Sequence, residues 1–299
     1  MRTRFKLRLR SSRPAEPTGT EPEAIMSGYF QDFLDSGRQR HVYVLMHPFR
    51  SLRTLTTLYR LPCLHLCPPS RGSEGAIIWE ILPQHSMRLP RVGFVMSALR
   101  LPHEPGHYSL GASKQTLRRK IRKAERAGIY WAEVQDAHER LELLKLAVDR
   151  ERTHPDEKYR NPNPDTSDLL SYELWLAAYS AEGRPLLLSV TPVDGEFAYL
   201  RYFRTLGDGE EESNARYLMT DVLAENLVSR RIRYLLDCAS PAWQYEGLRH
   251  FQRMIGYEIV RIRFARPRRR EDYPERPERI DPQPEPPVDV EMSAQHLGL

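Results

Sequence analysis

The chain has 299 residues, 40% of them hydrophobic and 28% charged, with 45 Lys and Arg against 40 Asp and Glu. That length can bury a sizeable core, in one large domain or two modest ones. No apolar run is long enough to span a membrane, and no apolar segment follows the basic start as a secretory signal requires. The three cysteines, Cys63, Cys67 and Cys238, are too few for a disulfide scaffold, so a cytoplasmic setting is expected.

Residues 1–25 hold six bases and three acids, and residues 267–299 hold five bases, eight acids and seven of the 24 prolines. Both stretches lack an apolar period and are expected to be disordered. Their charges cancel, so the body, 26–266, carries the net +5. Residues 26–105 read as a β-rich N-terminal half, either a reduced copy of the larger half or an accessory to it. Residues 106–266 read as the main domain.

In chain order, residues 41–46 (HVYVLM) read as a strand and 50–60 as a helix stopped near Pro62. Residues 75–83 and 91–100, apolar and bounded by Gly and Pro, read as strands. Cys63, His65 and Cys67 alternate, but no fourth ligand is evident, so no metal site is assigned. Ser113 is a candidate N-cap for a helix over 114–127, with Gly128 as its stop. Leu117, Ile121 and Ala124 give that helix a narrow apolar stripe. A strand (129–134), a helix (137–152), a Pro-rich loop and a helix (168–181) follow. Residues 185–193 and 196–204 flank Asp194-Gly195, a type I′ hairpin signature. A polar turn, 207–214, leads to a helix (214–230), a strand (232–237), a helix (243–254) and a last strand (257–264). The class is α+β, with a mixed, mostly antiparallel sheet flanked by helices.

Charge is concentrated on one element. Lys114, Arg118, Arg119, Lys120, Arg122, Lys123 and Arg126 face a single acid, Glu125, within residues 114–126. A solvated helix face or a polyanion site would both fit. Phosphate contacts there would be salt-sensitive and blind to sequence.

Two stretches resemble a known fold. Ser113 to Gly128 (SKQTLRRKIRKAERAG) looks like a Ser-led basic helix ending in Ala-Gly. Leu236 to Ser240 (LDCAS), followed by Gly247 to Tyr257 (GLRHFQRMIGY), looks like an Asp-bearing strand end, a helix and a Gly-Tyr stop. Together they resemble the GNAT-like acyltransferases, in the FemAB-like branch of peptidyl and aminoacyl transferases, a branch that often pairs two GNAT-like halves. Gln252 and Arg253 stand where that branch has Phe-Lys.

The resemblance implies an N-acyltransferase, moving an acyl group from acyl-CoA, or an aminoacyl group from aminoacyl-tRNA, to an amine. Asp237 is the first polar site candidate, with Tyr199, Tyr202, Glu246 and His250 beside it in a catalytic role. A loop cap for Asp237, core packing for the tyrosines and a surface Glu246–His250 pair are the plain alternatives. Gly207, Gly209, Ser213, Asn214 and Arg216 occupy the place of the donor-phosphate turn. Glu210, Glu211 and Glu212 depart from that pattern and would repel a pyrophosphate. A non-catalytic protein that binds RNA or another polyanion through helix 114–126 is the competing reading. Oxyanion donors would come from backbone N–H groups of the second hairpin strand. Cys238 reads as a small buried residue.

Overall fold

A computed structural model of the chain describes residues 22–37, 40–67, 70, 73–85, 87–89, 92–237 and 246–264. It opens with three helices, α1 (Pro22–Asp35), α2 (Arg40–Met46) and α3 (Pro48–Arg60). Next come β1 (Cys63–Leu66), α4 (Ser73–His85), β2 (Met87–Leu89) and β3 (Gly93–Arg100). After α5 (Gln115–Arg126), β4 (Tyr130–Glu133) and α6 (Ala137–Arg152) stand β5 (Trp175–Tyr179) and β6 (Pro185–Val190). Then follow β7 (Val193–Asp194), β8 (Phe197–Leu200), β9 (Tyr202–Thr205) and α7 (Glu210–Ser229). Last are β10 (Tyr234–Asp237), α8 (Glu246–Ile255) and β11 (Tyr257–Phe264).

The strands form two sheets. One runs β1-β11-β3-β10-β8-β7, with β2 on β3; the other runs β4-β5-β6-β9. Only β1–β11 and β8–β10 are parallel among the described strands, so the α+β class with a mixed, mostly antiparallel sheet holds. β3 lies between β10 and β11. Residues 26–105 and 106–266 therefore share one sheet, and no sheet boundary falls at 105/106.

Four cores pack against the strands, whose side chains alternate between faces. In one of them Met26, Tyr29 and Phe30 of α1 and Leu58 of α3 meet Val95 of β3. On one face, Leu117 and Ile121 of α5, Leu223 and Leu227 of α7 and Ile255 of α8 pack on both sheets at once. Behind the larger sheet, Ile78 and Leu82 of α4 meet Phe94, Met96 and Tyr199. Behind the smaller sheet, Leu143 and Ala147 of α6 meet Trp175, Leu188 and Tyr202. Each fully buried aliphatic side chain is worth about 1.5–3 kcal/mol in area removed from water.

Several expected elements differ. Residues 41–46 are helix α2, not a strand, and 75–83 fall inside helix α4. In α4 the buried positions, Ile78 and Leu82, are four apart while Trp79 is half-exposed; this is helical spacing, which a short apolar run obscures. The expected helix 168–181 is a 3-10 turn, Leu169–Ser171, followed by β5. β5 is buried at all positions because cores lie on both its faces, so it lacks the alternation that marks a one-sided strand. Ser113 sits exposed in a 3-10 turn, Ala112–Lys114, and does not cap α5.

The hairpin turn is shifted by one residue: Asp194 pairs with Phe197, leaving Gly195-Glu196 as the loop. Of these two, only Gly195 has a positive φ, 58°, so the turn is not type I′, which needs two. α1 begins at Pro22, inside the stretch expected to be disordered. The remainder of that stretch and the whole of 267–299 lie outside the described residues.

Candidate functional site

The two sheets are joined by one bent strand. β8 pairs in parallel with β10 as far as Leu200↔Asp237. The chain then turns at Arg201, and β9 pairs with β6 instead. Arg201 is almost fully buried and clamps the bend. Its Nε and Nη2 donate to the two oxygens of Asp168, both at 2.8 Å, and Nη2 also donates to the Asp165 carbonyl at 2.9 Å. Tyr172 donates its hydroxyl to the same carboxylate at 2.7 Å. β9 is the edge of its sheet. The Leu206 N–H donates to the Leu186 carbonyl at 2.8 Å. That fixes the ladder parity and turns the N–H groups of Phe203 and Thr205 away from β6.

Asp237 ends β10 at the point where the strands part. It is buried, and its carboxylate accepts from Nε2 of Gln252 on α8. Gln252 is itself 5% exposed. Phe251, its neighbour in sequence, stacks edge-on with Tyr217 of α7 at 5.2 Å between ring centroids. The Arg216 guanidinium lies 5.7 Å from the centre of the Phe251 ring, and its Nη2 reaches Oγ1 of Thr205 at 3.4 Å. Burial and the nearby Arg204 guanidinium hold Arg216 below the usual arginine range, and only the phenols of Tyr217 and Tyr159 act the other way. The end of β9, the second turn of α7 and the Phe251 ring of α8 thus surround a cation for which, among the described residues, no carboxylate ion pair is found.

α7 begins at Glu210, four residues earlier than expected, with Gly209 as N-cap. The three acids are its first turn, where the helix dipole favours them. Glu212 folds back: its carboxylate accepts from its own N–H and from that of Gly209. Arg184 Nη1 also donates to it at 2.6 Å, and Arg184 Nη2 donates to Glu211 at 2.8 Å. This is the N3 half of a capping box. Burial pushes the Glu212 carboxyl up, but Arg184 and the backbone donors outweigh it and hold it below the ordinary range. A Cβ at Gly207 or Gly209 would collide with a Glu212 oxygen. These glycines therefore make room for the chain's own carboxylate.

Lys114 and the basic residues of α5 divide into two groups. Lys114 donates to the Ile255 carbonyl, capping α8, and lies over the Tyr108 ring. Burial lowers its pKa to about 8, against a smaller opposing pull from Asp221. Arg118 donates to the carbonyls of Ser109 and Gly111. Lys123 pairs with Glu210, and Lys120 reaches Asn214 at 3.5 Å and lies over Tyr217. Arg119, Arg122 and Arg126 are exposed and share one helix face. Arg119 is close enough to Tyr217 to perturb it electrostatically, as Arg216 does.

The other candidates are dispersed. Tyr199 is fully buried behind the larger sheet. Tyr202 lies behind the smaller one, donating to Glu151 at 2.6 Å; burial and that carboxylate push its pKa up. Ser213 is exposed and Asn214 buried on α7, and His250 is exposed on α8. The Glu246 side chain, Cys238, Ser240 and Tyr245 lie outside the described residues. Among the described residues no group of three His, Cys, Asp or Glu could hold a metal ion. Sequence reasoning missed the roles of Arg184, Glu212 and Gln252. Only Glu212 leaves a local signal, an acid three residues after a Gly at a helix start.

No protein-family profile matches the sequence, and no curated protein matches it. Solved structures do show similarity. One is the C-terminal domain (DUF2156) of a protein described as a lysylphosphatidylglycerol synthetase from Agrobacterium fabrum, at TM-score 0.42 and 14% identity over 56% of this chain and 57% of that one. L-PGS from Bacillus licheniformis matches at TM-score 0.42 and 14% identity, over 56% of this chain and 60% of that one. A GCN5-related glucosamine N-acetyltransferase region of a fungal multi-domain GH3 β-N-acetylglucosaminidase matches at TM-score 0.34 and 14% identity, over 76% of this chain and 27% of that one. The chain thus spans under two thirds of each of these structures. At such scores the likeness assigns no family and no role to any residue here.

Proposed function

We propose that the chain is an N-acyltransferase that works by direct transfer, and that its donor is an aminoacyl-tRNA rather than acyl-CoA. The observation that carries the choice of donor is Glu212. In an acyl-CoA enzyme of this architecture the N-terminus of α7 would take the pyrophosphate, because free N–H groups and the helix dipole favour an anion. Here a carboxylate of the chain occupies that place, accepting from the N–H groups of Gly209 and Glu212. The donor's phosphates would instead meet Arg216 and the exposed row Arg119, Arg122 and Arg126.

In the transfer, the acceptor amine attacks the ester carbonyl carbon, a C–N bond forms, and the C–O bond to the tRNA ribose breaks. The N–H groups of Phe203 and Thr205 are the donors for the developing oxyanion. Asp237, oriented by Gln252, takes the amine proton and returns one to the leaving ribose oxygen.

Calorimetric titration with charged tRNA and with acetyl-CoA tests the donor. Salt-sensitive binding of the first and none of the second is expected. Saturable acetyl-CoA binding, or no binding of charged tRNA, rejects it. Asp237→Asn is expected to lower turnover by about 100-fold or more with unchanged circular dichroism; full activity would remove Asp237 from the mechanism.

A second reading, a non-catalytic polyanion-binding protein, is favoured by one observation: Tyr199 and Tyr202 are committed to the cores. It predicts RNA binding lost on reversing Arg119, Arg122 and Arg126 to Glu, without any transfer activity in the parent chain.

A further inference from the structure

The near-neutral charge of the body outside α5 conceals a second concentration. Residues 36–73 contain no Asp or Glu and six arginines: Arg38, Arg40, Arg50, Arg53, Arg60 and Arg71. Most of this stretch is α2 and α3, and α3 is turned inside out. Its buried positions are Ser51, Thr54 and Leu58. Ser51 exchanges a hydrogen bond with the Tyr29 hydroxyl at 2.8 Å and donates to the His47 carbonyl at 2.9 Å. Its outward positions hold Phe49, Leu52, Leu55 and Tyr59. Phe49 is 86% exposed, and Leu45 and Met46 at the end of α2 are 78% and 72% exposed. Large apolar side chains gathered on one exposed face need a partner surface.

We propose that the α2–α3 face docks on the surface of an anionic lipid bilayer. Helical spacing puts Arg53 and Arg60 at the margin of the apolar stripe, and both are exposed. An apolar strip rimmed by arginines matches the depth profile of a membrane interface, with acyl chains below and phosphates above. Residues 2–13 add Arg2, Arg4, Lys6, Arg8, Arg10 and Arg13 around Phe5, Leu7 and Leu9, with no acid within that stretch. That is the polybasic composition anionic leaflets attract. A second copy of the chain would bring the same arginine-rich stretch against this one, with the neighbouring Asp32 already paired with Arg50 at 2.8 Å, and like charges oppose that pairing. A nucleic acid would satisfy the arginines but would leave Leu45, Met46, Leu52 and Leu55 with nothing to bury against. Docking is distinct from spanning: among the described residues no helix is long and apolar enough to cross a membrane. It is also independent of acyl transfer, since it uses none of the residues placed at the β8–β10 divergence.

Co-sedimentation of the full chain with vesicles tests it. One set is phosphatidylcholine alone; the other mixes in phosphatidylglycerol. Binding to the mixed vesicles, weakened by salt, is expected. Phe49→Ser with Leu52→Ser should lower that partition about tenfold or more, while Phe49→Leu with Leu52→Ile should retain it. Arg53→Gln with Arg60→Gln should lower it several-fold on mixed vesicles only. All these side chains are exposed, so melting temperatures should not change. The proposal is overturned if the parent chain sediments with neither vesicle, or if the double Ser variant partitions as the parent does. It is equally overturned if light scattering finds a dimer that the double Ser variant converts to monomer, since a second copy then covers the face.

Discussion

Glu212 and Lys114 are each a charged side chain turned back onto the chain's own backbone, and each has its pKa lowered there. Both therefore make stability rise with pH, Glu212 in the acid range and Lys114 in the alkaline one. Glu212 satisfies α7's first donors and Arg184. Glu212→Ala should therefore cost about 1–2 kcal/mol in urea unfolding, the range for losing an N-terminal cap. Glu212→Gln should cost less, because the amide oxygen still accepts. Lys114 is held by burial at about 8, below its ordinary 10.5. Between those values the unfolded chain binds the extra proton, so stability rises with pH across the interval. Lys114→Met should flatten that rise in a melting-temperature series. The Ile255 carbonyl would keep a donor in the variant, because the Tyr108 hydroxyl also reaches it at 2.7 Å.

At the scale of elements, the bent strand from Phe197 to Thr205 depends on the Arg201–Asp168 clamp. Asp168→Ala leaves the buried Arg201 guanidinium with only the more distant, exposed Asp165 carboxylate at 3.7 Å and should cost about 3 kcal/mol by urea titration. Arg201→Met, which removes the charge with the partner's need, should cost less if Tyr172 continues to hold Asp168. α5 is readable from its stripe, Leu117-Ile121-Ala124, because a wide polar face leaves the apolar period unmistakable. The final strand, 257–264, has the limits that its sequence suggests. α4 and β5 mislead in opposite directions for one reason: each is apolar nearly all round, so period carries no information. The start of α7 escapes a sequence reading because three acids look like a solvated loop, yet a helix N-terminus is where acids fit. Of the candidate site, Asp237 and Arg216 can be singled out by position in the pattern. Their companions Gln252, Phe251 and Thr205 come from α8 and β9, elements that only the fold brings together.

For the whole molecule, β3 decides how the chain holds together. It pairs with β10 on one side and β11 on the other, so removing residues 26–105 would open two strand edges in the middle of a sheet. A fragment of residues 106–266 is expected to aggregate or to unfold without a cooperative transition. A fragment spanning 22–266 should keep one sharp transition. Cooperative unfolding of the shorter piece by circular dichroism would show that the larger sheet can close without β3.

The same placement sets a schedule for synthesis. β3 leaves the ribosome early, but Arg100 waits for Tyr234, about 130 residues later, and Phe94 waits longer still for Ile262. Until then Met96 and Leu99 belong to an apolar strand whose long-range neighbours β10 and β11 are not yet made, with only the short β2 paired at its start as far as Val95. The larger sheet thus closes around a segment translated long before its partners, and the nascent chain is most exposed to aggregation just before its last strand emerges.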